Sequence, residues 1–248
     1  MDAGTGGLTM EILGGGVAWL LDPAHWSGSN GIPVRLLEHV ALSGASLLVA
    51  ALIAVPVGLY TGHTGRWGTS VLNVASIGRA VPSYALLLVF FTLTGALGAP
   101  TTLPTLVLLA IPPLLAGVHV ALREVDRDMI EAGRGMGMRE IQVLRRVELP
   151  AGMPLILVGA RTAAVQVVAT ATLGALVAGG GLGRYIVDGF ALRGAEGTAR
   201  LVAGAILVAA LAIATERLFT LVERRALSPG VARGSARLDT APRAGLGL

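Results

Sequence analysis

Five apolar runs, each long enough to cross a lipid bilayer, constrain this chain more than any other feature. They lie at 37–59, 70–95, 102–122, 153–178 and 200–222, to within a few residues at either end. A crossing takes about 20 mostly apolar residues. Hydrocarbon offers no partner to a backbone N–H or C=O, so each run must close its own hydrogen bonds as a helix. The expected fold class is an all-α polytopic membrane protein with about five transmembrane helices. Composition agrees: 54% of the 248 residues are hydrophobic and only 14% charged, too apolar for a soluble domain.

Three regions follow. Residues 1–36 form an N-terminal extracytoplasmic segment, 37–226 the transmembrane domain, and 227–248 a cytosolic tail. The first region holds a shorter apolar run, Ile12 to Leu21, interrupted by Gly14-Gly15-Gly16, with no basic residue before it as a signal peptide requires. It reads as a surface helix on the outer leaflet, with Trp19 and Trp26 at the interface. The tail, with Pro229, Gly230, Gly234, Pro242 and Gly245 among Ala and Arg, is expected to be disordered.

Several chemistries are excluded early. With no cysteine there is neither a disulfide nor a thiolate metal site, and the four His show no ligand spacing, so no metal site is expected. All 19 basic residues are Arg. A phosphate-cradling loop needs a Gly-Lys-Ser/Thr ending, and Schiff-base chemistry needs an amine. The chain is therefore expected to be no enzyme and to hold no cofactor of its own. Its pI of about 10.6 is a topology signal, because the Arg residues sit at the ends of apolar runs and not on one soluble face. No Asp or Glu lies well inside a run; Glu38 and Glu216 are at edges. Proton-coupled transporters usually carry such carboxylates, and no second half resembles the first as inverted repeats would. Energy for any transport must come from a partner.

Arg placement sets the orientation. With the N-terminus outside, the inner segments hold thirteen Arg: Arg66; Arg123, Arg127, Arg134, Arg139, Arg145 and Arg146; and Arg217, Arg224, Arg225, Arg233, Arg237 and Arg243. The outer segments hold three, Arg35, Arg184 and Arg193. That bias puts 123–150 and the C-terminus in the cytosol. Arg79 and Arg161, near helix ends, either reach the inner interface or face a polar cavity.

The segment 123–150 is charged yet balanced, with six Arg and six Asp/Glu. A loop meant only to hold anionic lipid would be basic, since each Lys/Arg near the headgroups contributes about 1 kcal/mol and each acid opposes it. Balanced charge with Met and Ile between reads as a docking surface for a protein. Asp126, Asp128 and Glu131 favour a helix start, Gly135 and Gly137 loosen the middle, and Arg145 and Arg146 suit a helix end. Met136 and Met138 offer adaptable apolar contacts at an exposed turn. The alternative is a solvated linker helix that only joins two spans.

Within the spans, Ser46, Ala50, Ala54 and Gly58 recur every four residues, a small-residue stripe that lets helices approach closely. Pro82 and Pro112-Pro113 remove backbone donors, which predicts kinks or local unwinding; for Pro112-Pro113 a role in packing alone is an equal alternative. In the fourth span Thr162, Gln166 and Thr170 share one helical face, continued by Gly174 and Ala178. Such a stripe lines a path for a hydrophilic solute or binds neighbouring helices, the latter favoured for the threonines and Gln166 being the better pathway candidate. His119 is read as a packed or interfacial residue.

Residues 131–150 resemble the cytosolic loop signature of binding-protein-dependent ABC importer permeases. That signature reads Glu-Ala-Ala, three residues, Gly, nine residues, then Ile-x-Leu-Pro. This chain has Glu131-Ala132-Gly133, Gly137 and Val147-Glu148-Leu149-Pro150. Gly133 stands for Ala and Val147 for Ile, while the spacing holds throughout. The resemblance covers roughly 36–226. Two stretches resemble the narrower group serving osmoprotectants (glycine betaine, carnitine, choline). Arg79-Ala80-Val81-Pro82-Ser83-Tyr84-Ala85-Leu86 is similar to its Ile-Pro-Ser-Leu-Ala-Leu. Residues 169–183, with Thr170-Ala171-Thr172-Leu173 and Gly180-Gly181-Leu182-Gly183, are similar to its Thr-Ala-Thr-Leu and Gly-Gly-Leu-Gly elements.

The resemblance implies a methionine-importer-permease-like fold in which 123–150 forms coupling helices seated in a groove of the ATPase. Carried over by position, Glu131, Ala132, Gly133, Met136, Gly137, Met138 and Arg139 are the ATPase-coupling residues. Pro82, Ser83, Tyr84, Thr162, Gln166 and Thr170 are the translocation-pathway candidates. ATP and Mg would sit on the partner ATPase. The other expected partners are an extracytoplasmic solute-binding protein, a second permease copy or paralogue, and membrane lipid; the membrane is the bacterial cytoplasmic one, and no nucleic acid is involved. The function implied is that of a permease subunit of an ATP-driven importer of quaternary-ammonium osmoprotectants, working by alternating access. The alternatives are a methionine, amino-acid or sulfonate importer permease, a secondary transporter or channel, and a non-transporting scaffold. Ten aromatic residues (4 Phe, 3 Trp, 3 Tyr) with no evident cluster mark a conduit of little selectivity. Segment 179–199, Gly-rich and then amphipathic through Tyr185, Ile186 and Phe190, either meets the binding protein, gates the outer mouth or folds back on the bundle.

Overall fold

The computed structural model describes residues 3–226, so the tail 227–248 lies outside the described residues. The order is α1 (Ala3–Leu21), a 3-10 turn Pro23–Trp26, α2 (Ile32–Thr64), α3 (Gly68–Ala80), α4 (Ser83–Thr94), α5 (Ala99–Arg123), α6 (Arg127–Gly135) and α7 (Glu140–Val143). A π turn, Leu144–Glu148, leads from α7 into α8 (Leu149–Thr170). A 3-10 segment Ala171–Val177, α9 (Gly183–Leu192) and α10 (Gly194–Ala226) complete the described residues. Among the described residues, four stretches are long and apolar enough to cross a membrane: Ile32–Thr64, Ala99–Arg123, Glu140–Val177 and Gly194–Arg225. The fifth expected span is a bent pair, α3 and α4 meeting at 89°. Val81 is extended there (ψ 124°) because the ring of Pro82 excludes the residue before it from the helical region.

α5 is the hub, buried on nearly all sides, with α2, α3, α4 and α8 packed around it. Such a helix must be largely apolar on every side, and its buried Thr101, Thr102, Thr105 and His119 are hydrogen-bonded. Its Pro104, Pro112 and Pro113 stay inside a continuous helix, so of the two alternatives for Pro112-Pro113 it is packing, not local unwinding, that the structure shows. The proline acts through contact: the Pro112 ring fills the notch left by Gly78 of α3. The small-residue stripe of α2 is buried throughout, with Gly58 beneath Val118 and Gly62 beneath Leu122 and His119 of α5. Where α5 crosses α8 the backbones touch. A Cβ on Gly117 would stand 2.7 Å from the Gly159 Cα, and one on Gly159 2.8 Å from the Gly117 Cα. Without a hydrophobic force between helices in lipid, such close backbone contact supplies the association.

Two expectations change. Gly14-Gly15-Gly16 does not interrupt a helix: α1 runs unbroken for 19 residues and packs on α10, with Gly16 against Val202 and Gly15 facing Ala199. Gly15 and Gly16 are contact points for that packing, as in other close helix pairs. Arg145 and Arg146 do not end a helix either. They lie in the π turn, where the Leu149 N–H reaches back five residues to the Leu144 carbonyl. Pro150 has no N–H for the Arg146 carbonyl, which relaxes the α ladder at that point without stopping it.

Candidate functional site

The loop between α5 and α8 is built by local signals. The Asp126 carboxylate caps α6 by accepting from the Asp128 N–H at 2.9 Å. The helix then closes on Gly137, whose φ of +80° suits glycine. Gly137 N–H bonds the Arg134 carbonyl at 2.9 Å, and Met138 N–H bonds the Gly133 carbonyl at 3.2 Å, the paired bonds of a Schellman cap. A fork from Arg134 to Glu140, both bonds at 3.0 Å, spans the turn. These bonds and the Arg134 charge hold the Glu140 carboxyl below the usual carboxylate range. α7 starts with the Arg139 N–H on the Gln142 side-chain oxygen at 2.8 Å.

This geometry sorts the loop candidates. Glu131, Ala132, Met136, Gly137 and Arg139 face out, Met136 at 71% exposure. Met138 turns inward onto Val125, Ile130 and Val143, so only one of the two methionines serves the exposed turn. Gly133 is buried, and a Cβ there would meet Val147, Met138 and Val143 at 3.5–3.8 Å, ordinary contact distances. The site therefore has room for the alanine of the resembled signature. Beside the loop opens a mostly apolar groove of about 950 Å³, lined by Met129, Ala132, Met136, Val147, Pro150 and Met153.

Sequence reading missed one element here. His63, in the last turn of α2, has Nδ1 2.6 Å from Glu148 Oε2 and Nε2 3.4 Å from Glu140 Oε2. The Glu148 side chain is 3% exposed, and removing one partner of a buried pair typically costs about 3–5 kcal/mol. The partners lie 85 residues apart in sequence. The available signal was an acid in the otherwise apolar Val147-x-Leu149-Pro150.

At the opposite end of the bundle the chain after α8 folds back on α2. The helix tightens to 3-10 at Ala171, with about three residues per turn. The four-residue face of Thr162, Gln166 and Thr170 therefore stops there, and Gly174 is buried against Thr102. Gly181, at φ +87°, gives its N–H to Glu38 at 2.8 Å, and Leu182 gives its N–H to His39 Nδ1 at 3.3 Å. Residues 179–182 thus pack on the bundle. In α9 Tyr185 is buried while Phe190 is 79% exposed. Aromatic residues do cluster at this end: Trp19 stacks on His25 at 3.7 Å and meets the Tyr185 ring edge-on at 5.2 Å. They come from three separate elements, which hid the cluster from sequence spacing. His119 is packed, with Nδ1 3.1 Å from the Thr61 hydroxyl. Arg161 pairs with Glu223 of α10 at 3.6 Å.

The pathway candidates form two groups, joined through α5. Pro82 and Tyr84 are exposed and Ser83 half-buried at the α3–α4 corner. On α8, Thr162 is exposed and Gln166 and Thr170 are half-buried, flanking the buried face that carries Gly159, Ala163 and Val167. The Thr162 hydroxyl is spent on the Val158 carbonyl at 2.9 Å.

Comparison with known proteins matches this architecture. The chain is 37% identical over 205 residues to the carnitine transport permease protein OpuCD of Listeria monocytogenes (serotype 1/2a, strain 10403S), covering 83% of this chain and 90% of that protein. It is 36% identical over 192 residues to the choline transport system permease protein OpuBD of Bacillus subtilis (strain 168), covering 77% and 83%. Its fold superposes on an inward-facing MetNI methionine ABC transporter chain with a TM-score of 0.69 at 23% identity, covering 79% of this chain and 96% of that one. Residues 54–228 match the model of the binding-protein-dependent transport system inner membrane component. The chain is a multi-pass membrane protein and belongs to that family of permeases.

Proposed function

We propose that this chain is the transmembrane subunit of an ATP-driven importer of quaternary-ammonium solutes delivered by an extracytoplasmic binding protein. The observation that carries the reading is the loop. A capped, ion-pair-braced turn presents Glu131, Ala132, Met136, Gly137 and Arg139 beside an apolar groove. That surface fits a protein partner, the ATPase, which would hold the ATP and Mg; this chain then contributes no catalysis. The substrate class is supported by the relatives named above. Carnitine and choline share a trimethylammonium group.

In this reading the N-terminus is outside and the loop is cytosolic, following the Arg bias. A second permease copy or a paralogue covers the open face of α8, and the solute passes between them along Gln166 and Thr170 and past the Pro82–Tyr84 corner. ATP binding moves the loop. Because α7 enters α8 through a π turn and not a break, that displacement reaches the helix bearing Gln166 directly.

The chain has no cysteine, so a single introduced thiol is the only one it carries and labelling is read on this subunit's band. In the assembled importer, Gln166→Cys is expected to react with a water-soluble thiol reagent. The reaction should be slowed when binding protein loaded with choline or carnitine is added, but not by methionine. A thiol inert in every state contradicts the pathway, and protection by methionine alone contradicts the substrate class.

A further inference from the structure

His63 lies outside the resembled signature, Glu148 occupies its open position and Glu140 falls in its nine-residue spacer. Together these three residues nonetheless join separate elements. His63 belongs to α2, Glu140 to α7 and Glu148 to the π turn. The imidazole sits between both carboxylates, 2.6 Å from Glu148 and 3.4 Å from Glu140. Arg134 of α6 grips the same Glu140 with two bonds. Arg123 and Arg127 complete the polar surroundings, lining with His63 and Glu148 a cavity of about 30 Å³. The loop surface is therefore joined to the end of α2 by the Arg134–Glu140 fork, a 3.4 Å contact from Glu140 to His63 and the His63–Glu148 hydrogen bond; charge-assisted hydrogen bonds such as the first and last are about twice as strong as neutral ones.

α2 is placed to use that connection. Its 33 residues span about 50 Å, and its other end is tied to the last turns of α8 and to the segment that follows. Glu38 accepts from Gly181, the His39 Nε2 lies 2.9 Å from the Val168 carbonyl, and Leu182 donates to Nδ1. One helix thus holds the loop at one end and the 179–182 turn at the other.

We propose that His63 is a positioning residue that couples the loop to α2, so that α2 carries loop displacement to the far end of the bundle. The proposal rests on the importer reading. It assigns the coupling not to the signature alone but to a second route, parallel to the direct entry of α7 into α8.

The test is made in proteoliposomes holding this chain, its ATPase and its binding protein, with uptake and ATP hydrolysis measured together. The double variant H63A/E148Q removes the link without leaving an unpaired buried charge. Expected is an assembled complex whose ATP hydrolysis stays within about twofold, while solute carried per ATP falls about tenfold, a typical size for coupling between sites. H63Q keeps a donor toward Glu148 and is expected to recover most of the ratio. E140Q, which weakens the exposed contact to His63 and the Arg134 fork but leaves the His63–Glu148 bond, should lower it modestly. An unchanged ratio in H63A/E148Q overturns the proposal. So does a loss of uptake that only tracks loss of assembly, since that marks a residue holding the fold. If the wild-type importer moves no solute with ATP, the importer reading itself fails and takes this proposal with it.

Discussion

Gly159→Leu is expected to leave little folded protein in the membrane. At the crossing of α5 and α8 a Cβ on Gly159 would stand 2.8 Å from the Gly117 Cα and 3.2 Å from the Pro113 carbonyl oxygen. Both obstacles are backbone, so no rotamer change relieves the clash and the helices must separate. Overpacking of a tight core costs typically 1–3 kcal/mol, and a leucine against backbone belongs at about 3 kcal/mol or more. That is a large share of the roughly 5–15 kcal/mol by which a folded domain is stable. The check is the thermal midpoint of the detergent-purified chain. Gly44→Ala is the control, because a Cβ there meets nothing within 4 Å, and its expected effect is within about 0.5 kcal/mol of zero. A wild-type midpoint for Gly159→Leu would contradict the crossing.

Gly137→Val is expected to abolish association with the ATPase while leaving membrane insertion intact. Nothing crowds this position, since a Cβ there would meet no atom within 4 Å. The cost is conformational: φ is +80°, where an L-residue loses about 1–2 kcal/mol and a β-branched one more. Relaxing that strain breaks the two cap bonds to Gly133 and Arg134 and withdraws Met138 from its seat on Val125, Ile130 and Val143. The exposed Met136 then loses its fixed place. Each 1.4 kcal/mol withheld from the docking geometry is about tenfold in affinity. Gly137→Asn is the informative companion, because asparagine tolerates the left-handed region and should keep most of the association. Co-purification of Gly137→Val with its ATPase at wild-type levels would contradict the role of the loop.

The spans were legible because lipid enforces a simple rule, and each expected run overlaps a helix or bent pair of the structure. The loop was legible as a helix start at Asp126 and a glycine turn at 137, both set by residues within a few positions of one another. What sequence hid was contact between distant elements. Gly14-Gly15-Gly16 looks like a helix breaker until α10 is seen against it. Pro112-Pro113 looks like an unwinding point until Gly78 is seen beneath the ring. The Trp19–His25–Tyr185 cluster and the His63–Glu148 pair have no local spacing at all. The Thr162–Gln166–Thr170 face was projected onward to Gly174 on an α-helical period, and the change to 3-10 at Ala171 defeats that projection. Local chemistry was readable here, whereas anything that depended on which helix lies beside which was not.

The most direct measurement is ATP-driven uptake into proteoliposomes containing this chain, its ATPase and its binding protein, offered glycine betaine, choline, carnitine, methionine and taurine separately. Expected is uptake that requires ATP and is confined to the three quaternary-ammonium solutes. Uptake of methionine or taurine alone would contradict the substrate class, and uptake that proceeds without ATP would contradict the importer itself.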